Sequence, residues 1–472
     1  MLADYSSCTG CAVCAAVYPA DAVKWRRRDG FRFPAVEESL CVGCGLCEEA
    51  CAVLKPPPAG RGELTAYSGH FEDVDKVLRC ASGGFMTALA ERFVREGGVV
   101  YGVCWDESFA HAVYRRATTL DEILPMRTSK YVMSEPDEAI WKSFRSDIET
   151  GRQVLFTGCP CEIGAARRYL GREYDNLTTC EVICAGGTTP LAMEEFVREL
   201  RDGHPGFEIA QLNMRKKKNG VWKPKYIEAV SAEGEVISVP FAESDFCAMF
   251  DAVKRPCCYD CRFKLGNSGA DFTAGDHYGE NETDPGYCPA GMSVIFAQSD
   301  KGRGLLRRLD FPLWEETLEK AAGTQACLDK SLRRSALRET LLEKMEHEGL
   351  RSAADCYRSS KLNGFDSVFD EAGRRIPDTM RRFGIWGVGN YFEITYGKIK
   401  EFFPDAEIVG IFDKYKRGTK HGMEIRSPDD IRKEWVDHVF ITTVMGKDEA
   451  VQQMREKYGN DCEAHYTLSM IE

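Results

Sequence analysis

No apolar run in the chain approaches the roughly 20 residues needed to span a bilayer, so no membrane span is expected. Positive charge is not in excess either: 62 Lys and Arg stand against 74 Asp and Glu, a formal net charge of −12. That balance argues against nucleic-acid binding, which rests on basic side chains neutralising phosphates. Met1 to Ser7 lacks the basic start and apolar stretch of an export signal, and a reducing cytoplasm is the expected compartment. No low-complexity tract is present, and the only internal repeat is a pair of cysteine runs. One further absence shapes the reading. Of the eight cysteines of a bacterial two-cluster ferredoxin pattern, seven are here, as Cys8, Cys11, Cys14, Cys41, Cys44, Cys47 and Cys51, and the eighth position is Tyr18.

In that pattern the fourth cysteine of each run ligates the other cluster. Cys8, Cys11 and Cys14 would therefore close one 4Fe-4S site with Cys51, whereas Cys41, Cys44 and Cys47 would meet the phenol of Tyr18. One cluster is fully ligated and the other lacks a thiolate. Structural zinc also takes four thiolates, but two runs of three cysteines do not match its paired two-plus-two spacing. With 21 cysteines and no export signal, a disulfide framework is not expected.

A chain of 472 residues, 43% hydrophobic and 29% charged, has the composition of an ordinary globular protein and the length of about three domains. The stretch Lys55 to Gly62, rich in proline and glycine, suits neither helix nor sheet and reads as a linker. It closes a ferredoxin-like module over 1–60. Next, Gly98 to Trp105 and Gln153 to Thr157 have the character of buried strands, and Phe85, Leu89, Phe93 and Val94 recur at helical spacing. Alternation of this kind predicts a central α/β domain over 61–365. A long helix is expected over about Leu328 to Leu350. From 378 to 472 the pattern is strand, Gly387-Val388-Gly389 turn, helix, then a strand ending in Asp413 and a third over His438 to Thr443. This predicts a Rossmann-like parallel sheet. Phe392 replaces the third glycine of the dinucleotide fingerprint, and the glycines can serve a cofactor or simply pack helix on sheet. The fold class is thus multidomain α/β.

Two basic runs, Trp25 to Arg28 and Arg215 to Lys218, can dock an acidic carrier or an anionic cofactor tail, though solvated surface is the expectation. A second set of cysteines is dispersed through the centre, at Cys159, Cys161, Cys184, Cys257, Cys258 and Cys261, each in a loop or at a strand end. Cys258-x-x-Cys261 with two upstream loop cysteines supplies four thiolates for another metal centre. Cys104, Cys327, Cys356 and Cys462 read as small apolar core residues.

The ordered landmarks Ala81-Ser82-Gly83-Gly84-Phe85, Ser129-Lys130-Tyr131-Val132, Gly158-Cys159-Pro160-Cys161, Ile183-Cys184, Arg255-Pro256-Cys257-Cys258-Tyr259-Asp260-Cys261 and Ala270 to Gly279 resemble the coenzyme F-420 hydrogenase/dehydrogenase beta-subunit family over about Ala66 to Phe296. The resemblance implies FAD and a 4Fe-4S cluster, with electrons exchanged with coenzyme F-420 or, in the wider group, taken from ferredoxin, as in reductases of chlorophyll metabolism. It implies Cys161, Cys184, Cys258 and Cys261 as cluster ligands, with Cys159 left as a rival to Cys161. The chain departs from the family at Cys159 and Cys257, where Thr and Ser are expected, and at Ala185, where the family has His.

The resemblance also directs attention to flavin-binding residues. Ser82, Gly83 and Gly84 precede a helix and can hold a pyrophosphate, or can be an ordinary helix cap. Ser129 and Lys130 follow, Lys130 as a charge for phosphate or reduced flavin, or as a plain surface lysine. Asp276 can aim at ribose or flavin, or cap a turn. His111 and His277 are the histidines near these landmarks. The expected function is an iron–sulfur flavoprotein oxidoreductase passing electrons between clusters and a two-electron acceptor, coenzyme F-420 or NAD. Ferredoxin or another redox protein and a small organic acceptor are the expected partners. Two alternatives stand beside it: an electron-delivery subunit with no substrate of its own, and a ferredoxin-dependent reductase in nucleotide-sugar or polysaccharide metabolism.

Overall fold

The computed structural model describes residues 2–18, 22–58, 62–377, 379–389, 391–432, 434–443, 447–459 and 463–466. Pro19, Ala59 to Arg61, Asp378, Asn390 and Cys462, all used in the sequence reading, lie outside them. The chain forms two compact units, Met1–Tyr278 with Cys288–Ala354 and Gly279–Tyr287 with Asp355–Glu472.

The first unit is built on an eight-stranded mixed sheet. Its order is Leu313–Glu316, Thr65–Gly69, Ser293–Ala297, Phe272–Asp276, Leu177–Val182, Val154–Gly158, Val99–Trp105 and Ala112–Ala117. The four strands from Phe272–Asp276 to Val99–Trp105 run parallel. Val154, Leu155 and Phe156 are buried in succession, as expected of a strand covered on both faces. One apolar layer holds Phe85, Leu89, Leu155, Phe272 and Ile295, and another holds Tyr101, Trp141, Phe144, Phe156 and Ile163. The helices that supply these layers carry local start signals. Asp137 accepts from Ile140 N at 2.8 Å before Glu138–Glu149, and Pro160 opens Pro160–Leu170, which stops at left-handed Gly171.

The N-terminal cysteine segment shares the second layer, since Ala12, Val13, Ala16 and Ala50 pack into it. An antiparallel three-stranded sheet, Ile209–Lys218, Val221–Ser231 and Val236–Pro240, completes the unit. The helix expected over Leu328 to Leu350 is shorter, Arg338–Glu348. Upstream of it the chain is held by other partners: Cys261 N donates to Ser331 Oγ and Leu265 N to the Leu328 carbonyl. These cross-chain bonds replace the helical ones, and Gly349, at φ 92°, separates a following helix, Leu350–Arg375.

The second unit has a six-stranded sheet ordered Thr419–Lys420, Met423–Arg426, Glu407–Phe412, Arg382–Trp386, His438–Ile441 and Glu463–Tyr466. All pairs are parallel except the first. Numbered along the chain, the five parallel strands lie in the order 3-2-1-4-5, the doubly wound arrangement. The three strands anticipated from sequence are thus the central three. Both units are α/β.

Candidate functional site

Three of the adjacent parallel strands of the first unit end in chemistry. Val154–Gly158 runs into Cys159 and Cys161, Leu177–Val182 into Cys184, and Phe272–Asp276 terminates at Asp276 itself. The carboxyl edge of a parallel sheet is where open α/β folds bind ligands, because the loops there converge.

At this edge the dispersed central cysteines meet. Cys161 lies within electrostatic reach of Cys261, Cys184 and Cys258. Cys159 Sγ is 3.8 Å from Cys184 Sγ. The amides of Gly186 and Gly187 point at Cys184 Sγ (3.3 Å) and Cys258 Sγ (3.4 Å) respectively. The thiol hydrogen bond from Cys159, then the Gly186 amide and the Lys264 and Lys254 ammoniums, bring Cys184 down to about 6 despite burial. Burial acts the other way on its neighbours, raising Cys161 and pushing Cys261 up to about 11. Lys254 is itself buried, donates to Thr188 Oγ1 at 3.1 Å, and is lowered by desolvation to about 8. Lys264 donates to the carbonyls of Cys184 (2.5 Å) and Cys327 (2.9 Å). Cys327, read from sequence as plain core, therefore sits beside this group; Cys180 and Cys288 are core residues.

The N-terminal set forms its own enclosure. Cys8, Cys11, Cys14 and Cys51 line one small pocket together with Gly10 and Val53. Burial pushes Cys11 up to about 12 and raises Cys14 and Cys51. Buried thiols become thiolates when a cation arrives, so the donor set suits a metal cluster. Two side chains from the central region hold this loop. Arg255 Nε donates to the Cys8 carbonyl at 2.6 Å, and Trp141 Nε1 donates to the Cys11 carbonyl at 2.7 Å. Cys51, Cys161 and Cys261 pack around one small apolar group, Ala52, Val53 and Phe263, so the two cysteine sets are neighbours. Cys41 and Cys44 are exposed and Cys47 is buried. Among the described residues no three His, Cys, Asp or Glu gather closely enough to chelate a single ion. Ligands of a cluster sit further apart, on the outside of a cube of irons and sulfides, than the thiolates around zinc, whose bonds are about 2.3 Å.

The residues singled out for flavin take the following places. Ser82 Oγ donates to the carbonyls of Met292 (2.5 Å) and Gly275 (3.2 Å). A Cβ at position 83 would overlap the Gly69 carbonyl, and Gly84 has φ 105° before the helix Phe85–Arg95. Lys130 is buried, donates to the carbonyls of Pro125, Arg127 and Thr128, and is lowered by desolvation to about 8. The Ser129 hydroxyl bonds the phenol of Tyr131, which reaches Arg215. Asp276 is paired with Arg215 at 2.7 Å, Tyr278 at 3.0 Å and Lys225 at 3.4 Å. Burial alone would raise Asp276, but Arg215 and Lys225 outweigh it and hold the carboxyl well below the usual range. His111 faces Glu135 and Glu194, and His277 faces Glu316.

Sequence reasoning missed two features. The basic run 215–218, expected on the surface, is half inside: Arg215 and Lys217 are 6% and 4% exposed. They lie on the strand Ile209–Lys218, and the two-residue period sends alternate side chains inward. That alternation was the available signal. With Lys225 they place three cations around one carboxylate, and Lys217 also donates to the Ser82 carbonyl at 2.7 Å. Arg215 Nε is buried with no hydrogen-bond partner among the described residues. Such a donor costs ~1–3 kcal/mol unless an anion or water meets it, so this cluster of cations suits an anionic group. Glu162 is the second feature: buried, it accepts from Cys159 N at 2.6 Å and from Tyr114 at 2.9 Å, and desolvation raises it.

In the second unit Gly387 is left-handed at φ 107°. Asp413 accepts from Val388 N at 3.0 Å, Tyr415 N at 2.9 Å and Lys416 N at 2.8 Å. Its carboxylate binds the turns around it. Phe392 is buried.

The chain is similar to the uncharacterized protein MJ1349 of Methanocaldococcus jannaschii, 23% identical over 204 residues, which are 37% of this chain and 56% of the other. The match thus spans little more than half of that relative's length. Among solved structures, the chain is similar to a component of the xenon-derivatised F420-reducing nickel–iron hydrogenase complex from Methanosarcina barkeri, with 16% identity, TM-score 0.37, and coverage of 65% of this chain and 93% of that one. Residues 151–311, which carry Cys159, Cys161, Cys184, Cys258, Cys261 and Asp276, match the family described as the C terminus of the coenzyme F420 hydrogenase/dehydrogenase beta subunit.

Proposed function

We propose that the chain is an iron–sulfur flavoprotein oxidoreductase that moves electrons between thiol-held clusters and a two-electron acceptor through FAD. The adjacency of the two cysteine sets carries this reading: Cys51 shares one apolar group with Cys161 and Cys261, and Arg255, two residues before Cys257, holds the Cys8 loop. Two independent storage sites would need no such contact.

When bound, iron–sulfur clusters exchange single electrons and a flavin exchanges one or two; that chemistry is the cofactors' own. The protein contributes position, desolvation and charge. Cys8, Cys11, Cys14 and Cys51 would hold one 4Fe-4S cluster, and Cys161, Cys184, Cys258 and Cys261 a second, with Cys159 the rival to Cys161. Lys254 and Lys264 offset negative charge at the second site. Arg215, Lys217 and Lys225 would hold the anionic part of the flavin or of the acceptor, beside the loop of Ser82, Gly83 and Gly84, with Ser129 and Asp276 orienting Arg215. Lys130, bound to three carbonyls, would act by fixing the Ser129 loop.

The family description makes a deazaflavin the first acceptor to test and NAD the second. Ferredoxin or another redox protein is the proposed electron partner, in a reducing cytoplasm that keeps thiols free; none of the described cysteines is disulfide-bonded. No helix among the described residues is long and apolar enough to cross a membrane.

Anaerobic reconstitution, iron and sulfide analysis and flavin extraction test the reading. The expected result is at least about eight irons per chain, released flavin, and dye-linked reduction of a deazaflavin or nicotinamide. A colourless, flavin-free product sinks it, and activity that appears only with an added catalytic partner makes the chain a delivery subunit.

A further inference from the structure

The loop around Cys41, Cys44 and Cys47 repeats the backbone of the loop around Cys8, Cys11 and Cys14. Gly10 and Ala12 flank Cys11 with φ 73° and 64°, and Gly43 and Gly45 flank Cys44 with φ 67° and 73°. Each loop then enters a four-residue helix, Val13–Ala16 in one and Leu46–Glu49 in the other. Left-handed backbone at both positions is costly for any residue with a Cβ, so its occurrence in both loops marks the second as built to the same pattern. The residue facing it is Tyr18. Val42 N donates to Tyr18 Oη at 2.9 Å, the Leu40 carbonyl lies 3.4 Å from the same oxygen, and the Cys41 thiol shares a hydrogen bond with it. Cys44 is also within electrostatic reach of the phenol. The oxygen therefore stands beside the three-cysteine loop.

We propose that Tyr18 Oη, as a phenolate, is the fourth protein ligand of a four-iron cluster held by Cys41, Cys44 and Cys47. Forming the iron–oxygen bond releases the phenol proton to solvent and leaves the electron count of the cluster unchanged. Tyrosine is an accepted iron ligand in haem proteins, and its oxygen is harder than a thiolate, so one iron of this cluster differs from the other three and is the first to be lost. The inference rests on the iron–sulfur reading above and adds a third, chemically distinct site to it.

The test uses the full chain reconstituted anaerobically with ferrous iron and sulfide, as wild type, Tyr18→Phe and Tyr18→Cys. Wild type should show iron–phenolate bands in its resonance Raman spectrum that both variants lack. Tyr18→Phe should lose about one iron per chain and gain a 3Fe-4S electron-paramagnetic signal when oxidised, while Tyr18→Cys keeps its iron. Cys44→Ala in the wild-type background should remove the phenolate bands. Equal iron content and unchanged spectra in wild type and Tyr18→Phe would overturn the ligand assignment alone. Failure of all variants to bind iron anywhere would overturn the iron–sulfur reading with it.

Discussion

Arg255 shows how much one side chain can carry in this fold. It is 1% exposed, donates to the carbonyls of Cys8 and Arg32, and sits two residues before Cys257. Arg255→Met would leave the buried Cys8 carbonyl without its donor, at ~1–3 kcal/mol, remove the donor to the half-buried Arg32 carbonyl, and free the first cysteine loop. The expected outcome is a lowered denaturation midpoint together with loss of iron from the Cys8 site, read as a fall in the iron-to-protein ratio. Asp276 makes the opposite case, a lone carboxylate among Arg215, Lys217 and Lys225. Asp276→Asn should cost ~3–5 kcal/mol near pH 7, because it leaves buried cations uncompensated. The pH dependence has a definite sign. The folded carboxyl titrates below its unfolded value of about 3.9, so its contribution is complete above about pH 4 and is lost as pH falls toward the lower folded value. Urea midpoints for wild type and Asp276→Asn should therefore differ most above pH 4 and converge below it.

Elements differ in why they hold their glycines. The loop of Ser82 to Gly84 is pressed against the sheet, and a Cβ at position 83 would overlap the Gly69 carbonyl and lie 2.6 Å from Ser293 N. Gly389, in the turn after Arg382–Trp386, has open space around its missing side chain. Gly83→Ala is expected to lower stability by several kcal/mol, in the range of strained or overpacked substitutions. Gly389→Ala should stay within ~0.5 kcal/mol of wild type. Thermal or denaturant unfolding of the two variants checks the contrast. Helix and strand existence was legible from periodicity: Phe85, Leu89 and Phe93 line the buried face of Phe85–Arg95. The lack of helix over 328–337 was not, because Ser331 and Leu328 bond to the Cys261 loop, and such a distant partner leaves no trace in local composition.

At the scale of the whole molecule, the N-terminal cysteine segment is part of the first unit's core rather than a bead on a linker, since Ala12, Val13, Ala16 and Ala50 pack with Trp141 and Phe156. Cys51 stands at the seam between the two cysteine sets. Cys51→Ser should remove about one cluster's iron while the central site keeps its own, and reduction of the central cluster by an external one-electron donor should slow. Stopped-flow absorbance of the reconstituted variant measures both.

The amino-acid sequence alone determined the inventory: which thiols exist, at what spacing, and which stretches alternate between strand and helix, since these depend on short-range periodicity and on residue type. Only the tertiary structure decided that Cys51 packs beside Cys161 and Cys261, and that Arg215, Lys217 and Lys225 gather around Asp276. Those facts come from strands and loops far apart in the chain packing against one another, and no local pattern encodes such a meeting.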